Sequence, residues 1–110
     1  MTLDDLRAWG ANVDEGLGRC MNREDIYLRL AGTIKAEQGF DRLKAALEAG
    51  NWHEAFEASH ALKGVLGNLS LTPLYDPMCE MCEMLRPGAP VDYAALLATI
   101  DTEHEKFLAL

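Results

Sequence analysis

Ser59-His60-Ala61-Leu62-Lys63-Gly64-Val65-Leu66-Gly67-Asn68-Leu69-Ser70-Leu71 decides how the rest of the chain is read. Trp52-His53-Glu54-Ala55-Phe56-Glu57-Ala58 precedes it, and the two pieces share the period of one helix. At about 100° per residue, Trp52, Ala55, Ser59, Leu62, Leu66 and Leu69 fall within roughly 100° of one another, a stripe that must face a core. His60 lies roughly 120–130° from the centre of that stripe, so its imidazole is expected to reach solvent. Lys63, Gly64 and Gly67 lie within about 60° of His60 on the same geometry. A glycine inside a helix costs about 0.8–1.0 kcal/mol relative to alanine. Two of them around one histidine are expected to strip side chains from the surface where another molecule would approach the ring. Lys63, one turn on, offers a positive charge to an anionic group held there.

Outward from this helix the chain breaks into further helical pieces. On the C-terminal side, Asn68 to Leu71 make a turn, and Thr72-Pro73 reads as N-cap and first helical residue. Pro77 then predicts either a kinked first turn or a regular helix beginning only after Asp76. Leu74, Met78, Cys82 and Leu85 continue an apolar face to Arg86, and Pro87-Gly88-Ala89-Pro90 is a firm break. Tyr93, Leu96, Leu97, Ile100, Phe107 and Leu108 form the stripe of a last helix. On the N-terminal side, Asn51 and Glu54 give a start like a capping box. Phe40, Leu43 and Leu47 mark a helix between Gly39 and Gly50, the latter in the usual C-terminal position. Asn22 is the expected N-cap of a helix carrying Ile26, Tyr27, Leu30 and Ile34, with Glu24 and Asp25 in its first turn. Residues 10–21 hold three glycines and read as loop plus a short turn around Glu15–Cys20. Leu3, Leu6 and Trp9 give a short opening helix ended by Gly10. With no strand-period alternation, the expected class is all-α: an antiparallel up-and-down four-helix bundle with additional short N-terminal helices as a lid.

Composition narrows the function. One hundred and ten residues suit a single domain, 1–110, with one core. A net charge of −8 argues against nucleic acid and anionic membrane surfaces, both of which are bound through Lys and Arg. No apolar run approaches the roughly 20 residues of a bilayer helix. Met1-Thr2-Leu3-Asp4-Asp5 lacks the basic region and apolar stretch of a signal peptide, so a cytoplasmic location is the expectation. Three cysteines without a secretion signal do not suggest a disulfide framework.

His60-Ala61-Leu62-Lys63-Gly64, followed by Gly67-Asn68-Leu69, resembles the signature of histidine phosphotransfer (HPt) domains, small helical bundles that carry a phosphoryl group between receiver-domain aspartates. Asn12-Val13-Asp14-Glu15-Gly16-Leu17-Gly18-Arg19-Cys20 with Glu24-Asp25-Ile26-Tyr27 also matches the usual lead-in to that bundle, so the resemblance covers nearly the whole chain. It implies a phosphorelay carrier in which His60 is the phospho-accepting nucleophile, Lys63 stabilises phosphate charge and Gly64 clears the partner's access. The implied partners are response-regulator receiver domains or a hybrid sensor histidine kinase, met by a monomer. Magnesium and an acidic pocket would come from the receiver, and this chain would need no cofactor of its own.

The residues agree with that chemistry. Imidazole, with an unperturbed pKa of about 6.5, is an accessible unprotonated nucleophile near neutral pH. At 4 Å and an effective dielectric of ~20, one lysine attracts an added anion by up to roughly 4 kcal/mol, before surface screening reduces it. No G-x-x-x-x-G-K-[ST] loop is present, and Gly16-Leu17-Gly18 follows no strand, so ATP binding and autokinase activity are not expected. The bland alternative is an ordinary surface histidine beside two tolerated glycines. His53, two turns earlier on nearly the same face, is the rival nucleophile but lacks the cleared ground and the lysine. His104 falls on an apolar stripe and reads as a structural histidine. Cys79-Glu80-Met81-Cys82 has redox or zinc spacing, but it lies in a helix without a second pair, and small packing residues are the favoured explanation. Glu80 and Glu83 would lie near the height of His60 on the partnering helix. Two further functions therefore stand beside the carrier: a helical adaptor that binds a receiver without turnover, and a metal or thiol sensor using Cys20, Cys79 and Cys82.

Overall fold

The computed structural model describes all 110 residues as seven helices without a strand. They are α1 (Leu3–Trp9), α2 (Val13–Arg19), α3 (Glu24–Ile34), α4 (Gly39–Glu48), α5 (Trp52–Asn68), α6 (Thr72–Leu85) and α7 (Ala94–Leu108). None is long and apolar enough to cross a membrane.

α5 is the central element. Its start is set by Asn51, whose side-chain oxygen accepts the Glu54 backbone N–H at 3.2 Å. The Glu54 carboxylate is taken by Arg42 of α4 instead of returning to the cap. Ala55, Ala58, Ser59, Leu62 and Leu66 are buried between α4 and α6, and each leucine contributes about 1.5–3 kcal/mol of burial. Ser59 is fully buried, and its hydroxyl is satisfied by donating to the Phe56 carbonyl at 2.8 Å. α6 packs in turn on α7. α7 closes back on α4, where His104 stacks on Phe40 at 3.8 Å and Lys44 meets Asp101 at 2.8 Å.

Pro77 does not delay the start of α6: the helix runs unbroken from Thr72. The missing N–H forfeits one hydrogen bond, to the Pro73 carbonyl, while burial of Leu74, Met78, Met81, Cys82 and Leu85 holds the helix in place. Leu71, not Thr72, is its N-cap. Two other local expectations fail. Asn22 is not a cap: with Met21 it adopts left-handed φ values near 55°, and Arg23 precedes the helix. Residues 13–19 are a helix, not a loop, because Gly16 lets α2 lie directly on the Tyr27 ring. Tyr27 is buried and donates its hydroxyl to the Leu69 carbonyl at 2.8 Å, which ties α2 and α3 to the end of α5. α1 docks beside them through Trp9, which tilts against Phe107 and donates to Glu103 at 2.9 Å.

His104 makes acid stability a readable property. Burial, with some help from Lys44, lowers its pKa from 6.5, although Asp101, Asp41 and Glu105 pull the other way. The unfolded chain therefore takes up a proton that the folded chain resists. Stability should fall as pH drops through about 6.5 towards the lowered folded value, and should level off below it. Thermal melts across that window should show this slope, and His104→Leu should flatten it.

Candidate functional site

His60 is exposed on α5, and its ring stacks on Phe56 one turn earlier with centroids 5.7 Å apart. On the side facing α6, its Nδ1 lies 3.9 Å from the Cys82 sulfur. Arg86, one turn beyond Cys82, places its guanidinium 5.2 Å over the Phe56 ring. Glu83 pairs with Arg86 at 2.7 Å, which holds its carboxyl below the ordinary range with lesser help from Lys63. Glu80 is exposed. Neither glutamate contacts the imidazole; a buried cysteine does.

The two glycines beside His60 have different roles. A Cβ on Gly64 would meet nothing within 4 Å, so the ground next to the ring is open. A Cβ on Gly67 would lie 2.7 Å from the Tyr75 ring, so this glycine admits Tyr75 of α6 and does not clear an outer surface. The expectation that both strip the approach to His60 is corrected to Gly64 alone.

From His60 an open concavity of about 370 Å³ runs towards the α5–α6 turn, lined by Lys63, Gly64, Gly67, Asn68, Thr72 and Tyr75 and closed by Glu15, Arg19 and Ser70. Ser70 turns the chain at a left-handed φ of 54°, a conformation that costs a non-glycine residue roughly 1 kcal/mol or more. Arg19 of α2 clamps it, donating to the Ser70 hydroxyl and to the Gly67 carbonyl at 3.0 Å. Ser70 in turn donates to Glu15 at 2.8 Å, and this bond, with Arg19, keeps the Glu15 carboxyl below its usual range. Phe56, Arg86, Tyr75 and Arg19 were not singled out from sequence as site residues, and Cys82 was named only as a packing residue or a sensor thiol, not as a neighbour of His60.

His53 is exposed, with Nε2 3.9 Å from the Glu57 carboxylate. That neighbour would repel an added anion, whereas His60 has Lys63 one turn away. Cys20, Cys79 and Cys82 are all free thiols, and no three His, Cys, Asp or Glu side chains are gathered as metal ligands.

Fold and site together define an all-α protein that presents one exposed imidazole over open ground beside a lysine. The Hpt domain family model matches residues 34–109, and the chain belongs to that family, the histidine phosphotransfer carriers of phosphorelays. The match takes in α4 to α7 and the whole His60 surface of α5, while α1, α2 and nearly all of α3 precede it. No curated protein and no solved structure gives a significant match.

The open ground at Gly64 has a measurable consequence. Gly64→Gln should leave stability level or raise it by up to ~1 kcal/mol through helix propensity, because nothing obstructs the new side chain. Transfer to or from a docked partner should nevertheless slow, since the side chain occupies the approach to His60. Lys63→Ala should weaken phosphoryl retention without blocking access, and its effect should shrink as salt rises. Thermal melts run beside transfer assays separate these outcomes; parent-rate transfer by folded Gly64→Gln would remove the access argument.

Proposed function

We propose that this chain is a phosphorelay carrier in which His60 accepts a phosphoryl group from one receiver aspartate and passes it to another. The observation that supports this most directly is the exposed His60 ring beside the empty ground at Gly64, within the span of the family match. In the step, an imidazole nitrogen attacks phosphorus, a nitrogen–phosphorus bond forms, and the bond to the aspartyl oxygen breaks with its electrons leaving on the carboxylate. Lys63 counters the charge that arrives. The magnesium and acidic pocket of the in-line transfer belong to the receiver on this reading. α4 to α7, each packed on the next and closed through Phe40–His104, form the antiparallel four-helix bundle, with α1 and α2 as its lid. The carrier works as a cytoplasmic monomer that meets receiver domains or the receiver of a hybrid kinase.

The test is incubation with a panel of radiolabelled phospho-receivers. Label should move onto this chain in an acid-labile, alkali-stable bond. A chain that binds a receiver tightly yet never takes its label would be an adaptor, and the carrier reading would fall.

A further inference from the structure

A carrier needs an exposed ring and open ground for its partner, but the surface beside His60 also sinks. The concavity of about 370 Å³ starts at the ring and runs to the α5–α6 turn. That volume lies at the low end of ligand pockets, roughly 300–1,000 Å³, and suits a small molecule. Its two ends differ in charge. Lys63 stands at the His60 end. Seven of the ten Lys and Arg side chains are in ion pairs, and Lys63 is one of the three that are not. At the far end the Glu15 carboxylate, which would repel an anion, is covered by Arg19 at 3.0 Å and by the Ser70 hydroxyl at 2.8 Å. Between the ends lies Asn68, exposed, with a side-chain amide that bonds to no other group of the chain and is free to donate. The Tyr75 ring, seated on Gly67, supplies an apolar wall.

The donor of a relay is an aspartyl phosphate, a mixed anhydride of a carboxylic acid and phosphoric acid. A free acyl phosphate carries the same reactive bond on far fewer atoms. We propose that His60 also takes its phosphoryl group directly from a small acyl phosphate seated in this concavity, with no receiver present. This rests on the reading of His60 as the phospho-accepting nucleophile and widens its donors from receiver aspartates to acyl phosphates in solution. The phosphoryl end lies at His60 and Lys63, and the acyl end lies towards Asn68 and the Tyr75 ring. The unprotonated imidazole nitrogen attacks phosphorus and a nitrogen–phosphorus bond forms. The bond from phosphorus to the acyl oxygen breaks, and its electrons leave on the free carboxylate. The ring keeps its one proton throughout, so no base is required. Lys63 offsets the charge of the donor, the part that magnesium plays at a receiver, and Asn68 donates to the departing carboxylate.

The probe is radiolabelled acetyl phosphate, given to the full chain in EDTA without any receiver, with the labelled residue mapped by mass spectrometry. Label should appear on His60 in an acid-labile, alkali-stable bond, and its rate should saturate as donor rises into the millimolar range. His53 is the internal comparison, an imidazole in open solvent with no concavity beside it. His60 should label at least tenfold faster. Lys63→Ala should lower kcat/KM for acetyl phosphate roughly tenfold, the worth of one charged contact, and Asn68→Ala roughly fivefold, the worth of one neutral hydrogen bond. Thermal melts alongside confirm that both variants are folded. An unlabelled His60 would overturn the proposal. So would labelling that rises linearly with donor while His53 keeps pace, since that is the reactivity of any open imidazole. Label from receivers but none from acetyl phosphate would defeat this proposal and leave the carrier standing. Label from acetyl phosphate but from no receiver would do the reverse.

Discussion

His60→Ala should abolish label transfer from a phospho-receiver while leaving the melting temperature close to that of the parent. His60 is exposed, and its contacts are one long approach to a sulfur and one stacked ring, so little folding energy depends on it. On the proposed carrier reading the chemistry does depend on it: no other residue of α5 combines a nucleophilic ring with open ground and a lysine one turn away. His53→Ala should keep transfer. Its imidazole stands 3.9 Å from Glu57, where an added phosphoryl group would meet a carboxylate instead of a cation. The measurement is label on the chain against time for both variants, with thermal melts alongside. Transfer that survives in His60→Ala and disappears in His53→Ala would reverse the assignment.

The helical periods and the main breaks were legible in the sequence because each rests on local rules. Asn51 caps α5 and Gly50, at a φ of 67°, leads out of α4 as its position suggested. The exposure of His60 followed from angular spacing alone. What local rules cannot carry is what lies across a contact. Gly64 and Gly67 look alike in sequence, and only the ring of Tyr75 above one of them separates open ground from a packing slot. Three glycines across residues 10–21 lowered helix propensity enough to hide α2, whose stability comes from tertiary packing on Tyr27 and Leu69. A hairpin that turns at Leu69–Leu71 would set Glu80 opposite His60; the observed pairs Gly67–Tyr75, His60–Cys82 and Phe56–Arg86 are instead centred on Leu71, and Pro77 kept that register from being read off in advance.

Gly16→Ala should be the most destabilising single methyl in the chain, and it tests whether α2 is part of the structure that shapes the site. By helix propensity alone the substitution should stabilise by up to about 1 kcal/mol. Tertiary packing reverses the sign. The added Cβ would lie 2.8 Å from the backbone carbonyl of Leu69 and closer still to the Tyr27 ring. Neither can yield cheaply: Tyr27 is fully buried and its hydroxyl is bonded to that same carbonyl. Overpacking of this kind costs about 1–3 kcal/mol, and the unyielding neighbours place it at the upper end. At roughly 4–8 °C per kcal/mol, the melting temperature should drop by about 10–20 °C. Gly18→Ala is the control on the same helix, since its Cβ meets nothing within 4 Å, and it should melt at or above the parent temperature. The consequence extends to the concavity beside His60. Displacing α2 withdraws Arg19 from the Gly67 carbonyl and from Ser70, so the left-handed turn after α5 loses its clamp. Amide exchange at Ser70 and Leu71 should accelerate in Gly16→Ala and stay at the parent rate in Gly18→Ala. Equal melting temperatures for the two variants would mean that α2 is only loosely seated on Tyr27, and that the concavity is shaped by α5 and α6 alone.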